Sequence, residues 1–364
     1  MKNSINLAGA FVGIIVGAGF GSGQEVMQFF TNFGIYSIPA VFVATICFSF
    51  IGMQIAQLGS HIQSTSHKDI IQLICGRYIG TAVDFILSFF LFGVGVIMIA
   101  GAGSVVEQQF GIPSQIGAIV MTILTIATLL LKIDKIISII SSITPLLLVI
   151  MIVIAGYAIF NADTSLIEIE HHANVENTAA SHWVLSSLLY VSFNIAVGFS
   201  MLSLMGGRIK NKQEAATGGI IGGVLLGILL MLINGGMLTD MKNVQGVEMP
   251  TLYLANNISP ILGYVLSFIL LAMIYNTCVG MLYAFTARFV PADTPTFKVS
   301  VVIVGVIAFF SSFVGFSELV GSVYPIMGYV GFVLLGAVVL SWVRSLHHSV
   351  DVIPNSIREI EKIS

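Results

Sequence analysis

Charged side chains are scarce in this sequence. Of its 364 residues, 9% are charged and 57% are hydrophobic, whereas soluble domains carry about 25% charged residues. So little polar surface cannot cover a water-soluble fold. Because hydrocarbon offers backbone groups no partners, only helices and closed barrels span a bilayer. The long apolar runs do not alternate with polar residues, so the sequence predicts an all-α membrane protein whose main partner is the lipid bilayer.

Cysteine and basic residues are scarce as well. Cys47, Cys75 and Cys278 lie far apart, and the 7 histidines show no ligand spacing with them, so we expect no disulfide framework and no metal site. The 14 lysines and arginines form no cluster, which argues against a nucleic-acid partner. No Ser-His, Cys-His or paired-aspartate arrangement occurs at membrane depth. We therefore expect no enzyme, no catalytic residue and no cofactor.

Hydropathy predicts ten transmembrane helices. They cover residues 5–31, 38–58, 80–107, 114–131, 136–160, 183–205, 216–237, 260–287, 298–314 and 319–343. The first of them has no small-residue cleavage site, so we expect a span and not a removable signal.

The basic residues predict an orientation in the plasma (inner) membrane. With the N-terminus in the cytoplasm, only Lys242 of the 14 basic residues falls outside, as the enrichment of lysine and arginine in cytoplasmic loops requires. The loop 161–182 lies outside in this arrangement and is acidic. Both termini are then cytoplasmic.

The outside loop 161–182 divides the spans into two sets of five. An odd number of spans per set means that the halves 1–160 and 183–343, if they are repeats, are inverted, and the residues 344–364 form a cytoplasmic tail. The opening span of each half has an interruption, at 17–23 and at 194–200. Each half also has a short helix in the corresponding loop, at 66–76 and at 248–256.

Glycine weakens the first span at every second position from Gly17 to Gly23. Each glycine costs about 1 kcal/mol relative to alanine, so this stretch is expected to be unwound. Close helix packing is the alternative reason for glycine in membrane helices, and it remains open for Gly198. A break frees carbonyls that bind a cation and amides that bind a carboxylate. Such a site suits a zwitterion.

The candidate substrate-binding residues lie mainly on the two interrupted spans. They are Gly17, Gly19, Phe20, Gly21, Ser22, Gly23, Gln24, Glu25, Asn194, Gly198, Ser200 and, on the third span, Gly101. Glu25 is the outstanding ionisable residue at this depth. It either accepts the freed amides as a structural carboxylate or carries a proton. Gly101 either permits close helix packing or leaves room for substrate.

The eighth span contains the polar stretch Tyr275, Asn276, Thr277 and Cys278. One interpretation is hydrogen bonding between helices, at about 0.6 kcal/mol per pair. The other is a sodium site, since hard cations prefer oxygen ligands, with carbonyls of the first span as the remaining ligands.

The arrangement resembles the five-plus-five inverted-repeat fold of the amino acid, polyamine and organocation transporter superfamily. The stretch 16–25, followed by Gln28, Phe29 and Phe30, is similar to the signature of YkvI-type membrane proteins, a bacterial group regarded as candidate amino acid transporters.

The resemblance implies particular sites. It implies a sodium site at Gly13 and Val16 with Asn276 and Thr277, and substrate-carboxylate contacts at Gly17 and Gly19. The Asn-Thr-Cys sequence of the eighth span departs from the adjacent hydroxyl pair of many relatives. Coupling by Na⁺ or by H⁺ therefore stays open.

Together these features predict a secondary active transporter that moves an amino acid or related zwitterion by ion-coupled alternating access. A solute sensor of the same fold, without net transport, is the alternative. The sequence predicts no oligomeric state.

Overall fold

The fold is given by a computed structural model that describes residues 2–63, 75–130, 143–162, 164–291 and 294–347. These residues form helices and connecting turns, with no strand among them. The α-helices are α1 (Lys2–Ile15), α2 (Ala18–Ser22), α3 (Gln24–Phe29), α4 (Ser37–Ile62), α5 (Arg77–Phe110), α6 (Ser114–Leu130), α7 (Ile143–Phe160), α8 (Leu166–His171), α9 (Trp183–Gly207), α10 (Lys212–Leu238), α11 (Met241–Val244), α12 (Pro250–Ile258), α13 (Pro260–Phe289), α14 (Pro295–Ser311) and α15 (Phe316–His347). Short 3-10 helices cover Thr31–Tyr36, Val175–Asn177 and Ser312–Val314.

Helices occupy the predicted apolar segments, although not all are long enough to span a membrane unaided. Among the described residues, 6 helices are long and apolar enough to cross a bilayer, and a bent pair makes up to 7. The 6 are Thr31–Ile62, Gly80–Phe110, Lys212–Leu238, Pro260–Phe289, Pro295–Val314 and Phe316–Trp342. Ser114–Leu130 and Pro145–Phe160 are shorter apolar helices. The start of the predicted span 136–160 lies outside the described residues.

The bent pair is helix α9, the opening span of the predicted second half. Its parts Trp183–Phe199 and Met201–Gly207 meet at 56°. The predicted interruption at 194–200 is thus reduced to a bend at its last residue, because 194–199 stay helical. This stretch contains one glycine, Gly198, and a single glycine costs the helix much less than four.

The helices pack in two groups. Helix α4 packs against both α9 and α10, and α1 packs against the same two helices. Helices α5, α6, α13 and α14 pack against one another. Helices α7 and α15 join the groups, since α7 contacts α10 and α13 while α15 contacts α9, α4 and α5.

Glycines bring α10 into backbone contact with α4. A methyl group on Gly223 would lie 2.3 Å from the Ser49 backbone nitrogen, and one on Gly219 would lie 2.5 Å from the Gly52 backbone. Backbones approach this closely only where side chains are absent, which is how small residues stabilise helix pairs in lipid. The packing interpretation of glycine is therefore confirmed for this pair of helices.

The predicted loop helices have different outcomes. Helix α12 begins with Pro250 at its first turn, where proline's missing N–H costs nothing, and it confirms the helix expected at 248–256. The helix expected at 66–76 lies, apart from Cys75 and Gly76, outside the described residues.

The acidic loop folds over the end of the first span. The Asn174 N–H donates to the Asn32 carbonyl at 3.0 Å, and the Ala179 N–H donates to the Gln28 carbonyl at 3.0 Å. Within the loop, Ser165 caps α8, and its hydrogen bonds to Glu168 lower the pKa of that carboxyl. The loop is thus an ordered cover and not a simple linker.

We predict that Gly223→Ala destabilises the fold by about 1–3 kcal/mol, the usual cost of overpacking, because the new methyl group would meet the α4 backbone. Thermal unfolding of the detergent-solubilised protein measures the effect as a lowered Tm. The matched control is Gly156→Ala, whose methyl group has no atom within 4 Å. Equal Tm values for the two variants would contradict the described contact between α4 and α10.

Candidate functional site

The first span is broken twice near its middle. The i→i−4 hydrogen-bond ladder runs to the Val16 N–H, which donates to Val12 at 2.8 Å, and resumes where the Gly21 N–H donates to Gly17 at 2.9 Å. A second break falls at Gly23, which has a left-handed backbone at φ 81°. The predicted interruption at 17–23 is confirmed at its two ends.

The sequence led us to expect an unwound stretch between the breaks. The structure instead has the single-turn helix α2 there. Its backbone is supported locally, because the Ser22 hydroxyl donates to the Gly19 carbonyl at 2.7 Å. The same hydroxyl oxygen accepts the Gln24 N–H at 3.2 Å and so begins α3. The polar groups of Ser22 therefore join the two pieces.

Glu25 leaves the start of α3 and folds back over α2. Its side chain is 5% exposed, and a methyl group on Gly19 would lie 1.9 Å from Glu25 Oε1. Gly19 therefore provides the space for this carboxyl group. The N–H of Gln24, one of the amides at the start of α3, is bonded to the Ser22 hydroxyl, so Ser22 supplies part of the cap that one interpretation expected of Glu25.

Two tyrosines face the Glu25 carboxyl group. Tyr324 on α15 and Tyr190 on α9 interact with it through their hydroxyls, although the Tyr190 hydroxyl forms no hydrogen bond of normal geometry with a described residue. Neither partner is cationic. A buried carboxyl group without a cationic partner is costly as a charge, so this arrangement suits a carboxyl group that can change its protonation state.

Aromatic rings enclose this polar cluster. The ring centroid of Tyr190 lies 5.0 Å from that of Phe30, 5.4 Å from Phe29 and 5.3 Å from Phe193. The Phe193 ring stacks on Tyr324 at 4.7 Å. The cluster is buried and joins the first span to α9 and α15.

Asn194 lies beside the cluster. Its amide nitrogen donates to the Tyr190 carbonyl at 2.9 Å, and its side chain also interacts with the Tyr190 hydroxyl. Asn194 and Glu25 therefore both adjoin Tyr190.

Helix α12 covers the break directly. The Thr251 hydroxyl donates to the Gly21 carbonyl at 2.6 Å, and a methyl group on Gly23 would lie 2.7 Å from the Thr251 side chain. One carbonyl freed by the break is thus satisfied by a loop helix.

The remaining predicted substrate residues, and the predicted ion ligand Gly13, have varied surroundings. Gly13 and Gly17 adjoin open space, with no atom within 4 Å of an added methyl group. A methyl group added to Gly198 would instead lie 3.2 Å from the Ile14 side chain, and one added to Gly101 would lie 3.0 Å from the ring of Phe316. Both glycines are therefore close to neighbouring side chains, as the packing interpretation requires. Phe20 is fully buried, and Ser200 lies at the bend of α9.

The polar stretch of α13 had two interpretations, hydrogen bonding between helices and a sodium site. Tyr275 shares a 2.5 Å hydrogen bond with Thr128, and the Cys278 thiol is 3.8 Å from the Gly95 carbonyl, so these two residues join helices. Asn276 and Thr277 are half-buried. Val16 is buried and Gly13 is exposed, and no hydrogen bond between described residues links them to Asn276 or Thr277.

Sequence reasoning missed Tyr190, Tyr324 and Thr251. A signal existed for the tyrosines, because a phenol inside an apolar span needs a polar partner when it is buried. Nothing in the sequence indicated which partner this would be, since α9, α15 and the first span are far apart along the chain.

We predict that Gly19→Ala displaces the Glu25 carboxyl group and lowers stability by about 1–3 kcal/mol. The cost should largely disappear in a Glu25→Ala background, because the three atoms nearest to the added methyl group all belong to that side chain. A double-mutant cycle on Tm measures the coupling. Gly17→Ala is the control, and additive effects of Gly19→Ala and Glu25→Ala would contradict the described contact.

Two known proteins are similar to this chain in sequence. The chain is 25% identical over 339 residues to the uncharacterized membrane protein YkvI of Bacillus subtilis, covering 91% of this chain and 94% of that one. It is 26% identical over 333 residues to the uncharacterized protein YyaD of the same organism, covering 90% and 94%. No family model matches the chain.

Solved structures share the fold. A mutant of the manganese transporter of Eremococcus coleocola aligns with a TM-score of 0.61 and 14% identity, over 93% of this chain and 78% of that one. MhsT in complex with L-phenylalanine aligns with a TM-score of 0.56 and 18% identity, over 91% and 88%. The chain is therefore similar along nearly its whole length to YkvI and to YyaD, and it shares the LeuT-type fold of these two solved transporters.

Proposed function

We propose that the protein is a secondary active transporter that moves a small organic solute, an amino acid or related zwitterion, by ion-coupled alternating access. The observation that carries the proposal is the broken first span, whose break holds a buried carboxyl group against two tyrosine hydroxyls. Broken helices bind solutes in transporters because their ends supply backbone donors and acceptors at membrane depth.

The proposal includes ten spans in two inverted halves. Packing partners support it, because exchanging helices for their counterparts in the other half converts several helix contacts into other contacts that are present. The α4 contact with α9 corresponds to that of α10 with α1, and the α5 contact with α6 corresponds to that of α13 with α14. The α7 contact with α10 likewise corresponds to that of α15 with α4. Such symmetry is expected of inverted repeats.

The nature of the solute follows from the groups around the break. Backbone amides and carbonyls at a helix break suit both ends of a zwitterion, and the Glu25 carboxyl group adds an acceptor for an ammonium group. MhsT, which shares the fold, has been solved with L-phenylalanine, and this supports an amino acid. In this arrangement Gly17, Gly19 and Asn194 are nearest to the solute.

Two coupling ions are compatible with this site. A proton would be carried by Glu25, which is buried without a cationic partner. A sodium ion would use the carbonyls of Gly13 and Val16 with Asn276 and Thr277, and the half-buried positions of the last two leave their oxygens available. The proposed orientation in the plasma membrane has both termini in the cytoplasm.

We predict that purified protein in proteoliposomes accumulates an amino acid when a sodium or proton gradient is applied. A panel of radiolabelled amino acids, tested with each gradient and with none, measures accumulation above the equilibrium level. Saturable binding without accumulation under either gradient would instead identify a solute sensor of the same fold.

Variants of Glu25 and Thr277 separate the two ions. If protons drive transport, Glu25→Gln should reduce gradient-driven uptake about tenfold or more, within the usual range of coupling energies, because the amide cannot exchange a proton. If sodium drives it, Thr277→Ala should have that effect instead. The control is Glu168→Gln in the surface helix α8, which should leave uptake unchanged. Full uptake by both site variants would remove both coupling groups from the proposal.

A further inference from the structure

A cavity lies beside the broken first span, under the acidic loop. Its volume is about 310 Å³, and it is bounded by α3, the loop residues 174–178, the turn 245–248 and the start of α15. We call it the loop-side cavity. A water molecule occupies about 30 Å³ of liquid, so the space admits an organic molecule of several heavy atoms rather than a lone ion.

The lining of the loop-side cavity is polar and acidic. Glu176, Glu248 and Glu318 contribute carboxyl groups, and none of the residues that line it is basic. Glu248 is partly engaged, since it accepts the Ser317 N–H and the Ser104 hydroxyl at 3.1 Å each. Glu176 and Glu318 are exposed. The cavity therefore presents negative charge to anything that enters it.

Three side-chain amides add acceptors without partners. Gln24, Gln28 and Asn32 line the cavity, their side chains are 5%, 7% and 4% exposed, and the amide oxygen of each has no hydrogen-bond partner among the described residues. A buried acceptor left unsatisfied costs about 1–3 kcal/mol. Three in one place indicate that a donor belongs there.

The hydrogen bonds of their nitrogen atoms fix the orientation of two of these amides. The Gln28 nitrogen donates to the Ser317 carbonyl at 2.8 Å, and the Asn32 nitrogen donates to the Asn177 carbonyl at 2.7 Å. Since a carbonyl can only accept, exchanging the oxygen and nitrogen would remove both bonds. The free atoms of Gln28 and Asn32 are therefore oxygens.

We propose that the loop-side cavity binds the protonated amine of a small organic solute. An ammonium group has three donors and no acceptor, which matches buried amide oxygens surrounded by carboxylates. The inference rests on the proposed function, because it makes this cavity the first binding site of the transported solute and restricts that solute to molecules that carry an amine.

Gln24, which lines the loop-side cavity, also begins the helix that follows the break. The Gln24 nitrogen donates to the Ser317 hydroxyl at 2.5 Å, the same hydroxyl accepts from Gln28 at 3.1 Å, and Glu25 follows Gln24 directly. An amine that engages these amides therefore contacts the groups that hold α3 to α15. Its next acceptor along the chain is the Glu25 carboxyl group.

Binding to the detergent-solubilised protein tests the inference without any gradient. The probe is phenethylamine, compared with its uncharged analogue 2-phenylethanol and with calcium chloride alone, by thermal shift and calorimetry. We expect phenethylamine to raise Tm and 2-phenylethanol to leave it unchanged. Stabilisation by calcium alone, by both organic probes equally, or by none of the three would overturn the proposal.

Charge variants locate the site. Glu176→Gln combined with Glu318→Gln should weaken phenethylamine binding about five- to tenfold, given the modest strength of exposed charges. Glu168→Gln, in the same loop but away from the lining, should not change it. Equal binding by all these variants would place the amine elsewhere. Failure of accumulation in proteoliposomes, with this binding pattern intact, would contradict transport and leave the site standing.

Discussion

Backbone polar groups without partners are the constraint on which this structure depends. Hydrocarbon offers no hydrogen bonds, so a helix that breaks inside a membrane must find partners for its ends within the protein. Here the Ser22 hydroxyl, the Thr251 hydroxyl and the turn of α2 supply them. Helix α12 has to lie over the break, and α9 and α15 have to approach it, because these contacts close the site.

The sequence predicted the helices well and the site partly. Apolar runs and glycine spacing located the broken first span, because each glycine weakens a helix locally and needs no knowledge of the tertiary structure. The same reasoning overstated the break at 194–200, where a single glycine, Gly198, leaves the chain helical up to Phe199. Sequence reasoning also could not foresee the surroundings of Gly101, because Phe316, whose ring lies beside it, is distant in sequence.

Partners within the site were beyond sequence reasoning for a related reason. Glu25 stood out because an ionisable residue at membrane depth is rare, but its partners come from two other helices whose approach depends on the whole fold. The sequence likewise cannot predict that the amide oxygens of Gln28 and Asn32 lack partners. It shows only that these residues of the span are polar. Their meaning arises from the carbonyls of Ser317 and Asn177 that fix their orientation.

The contact between α4 and α10 limits how the protein can move. At Gly219 and Gly223 the two backbones are in direct contact, with no flexible side chains between them. Sliding one helix along the other by one residue would bring neighbouring Cβ atoms into collision with the facing backbone. These two helices therefore travel as a single piece. Any helix movement that the proposed transport cycle requires would therefore occur at contacts other than this one.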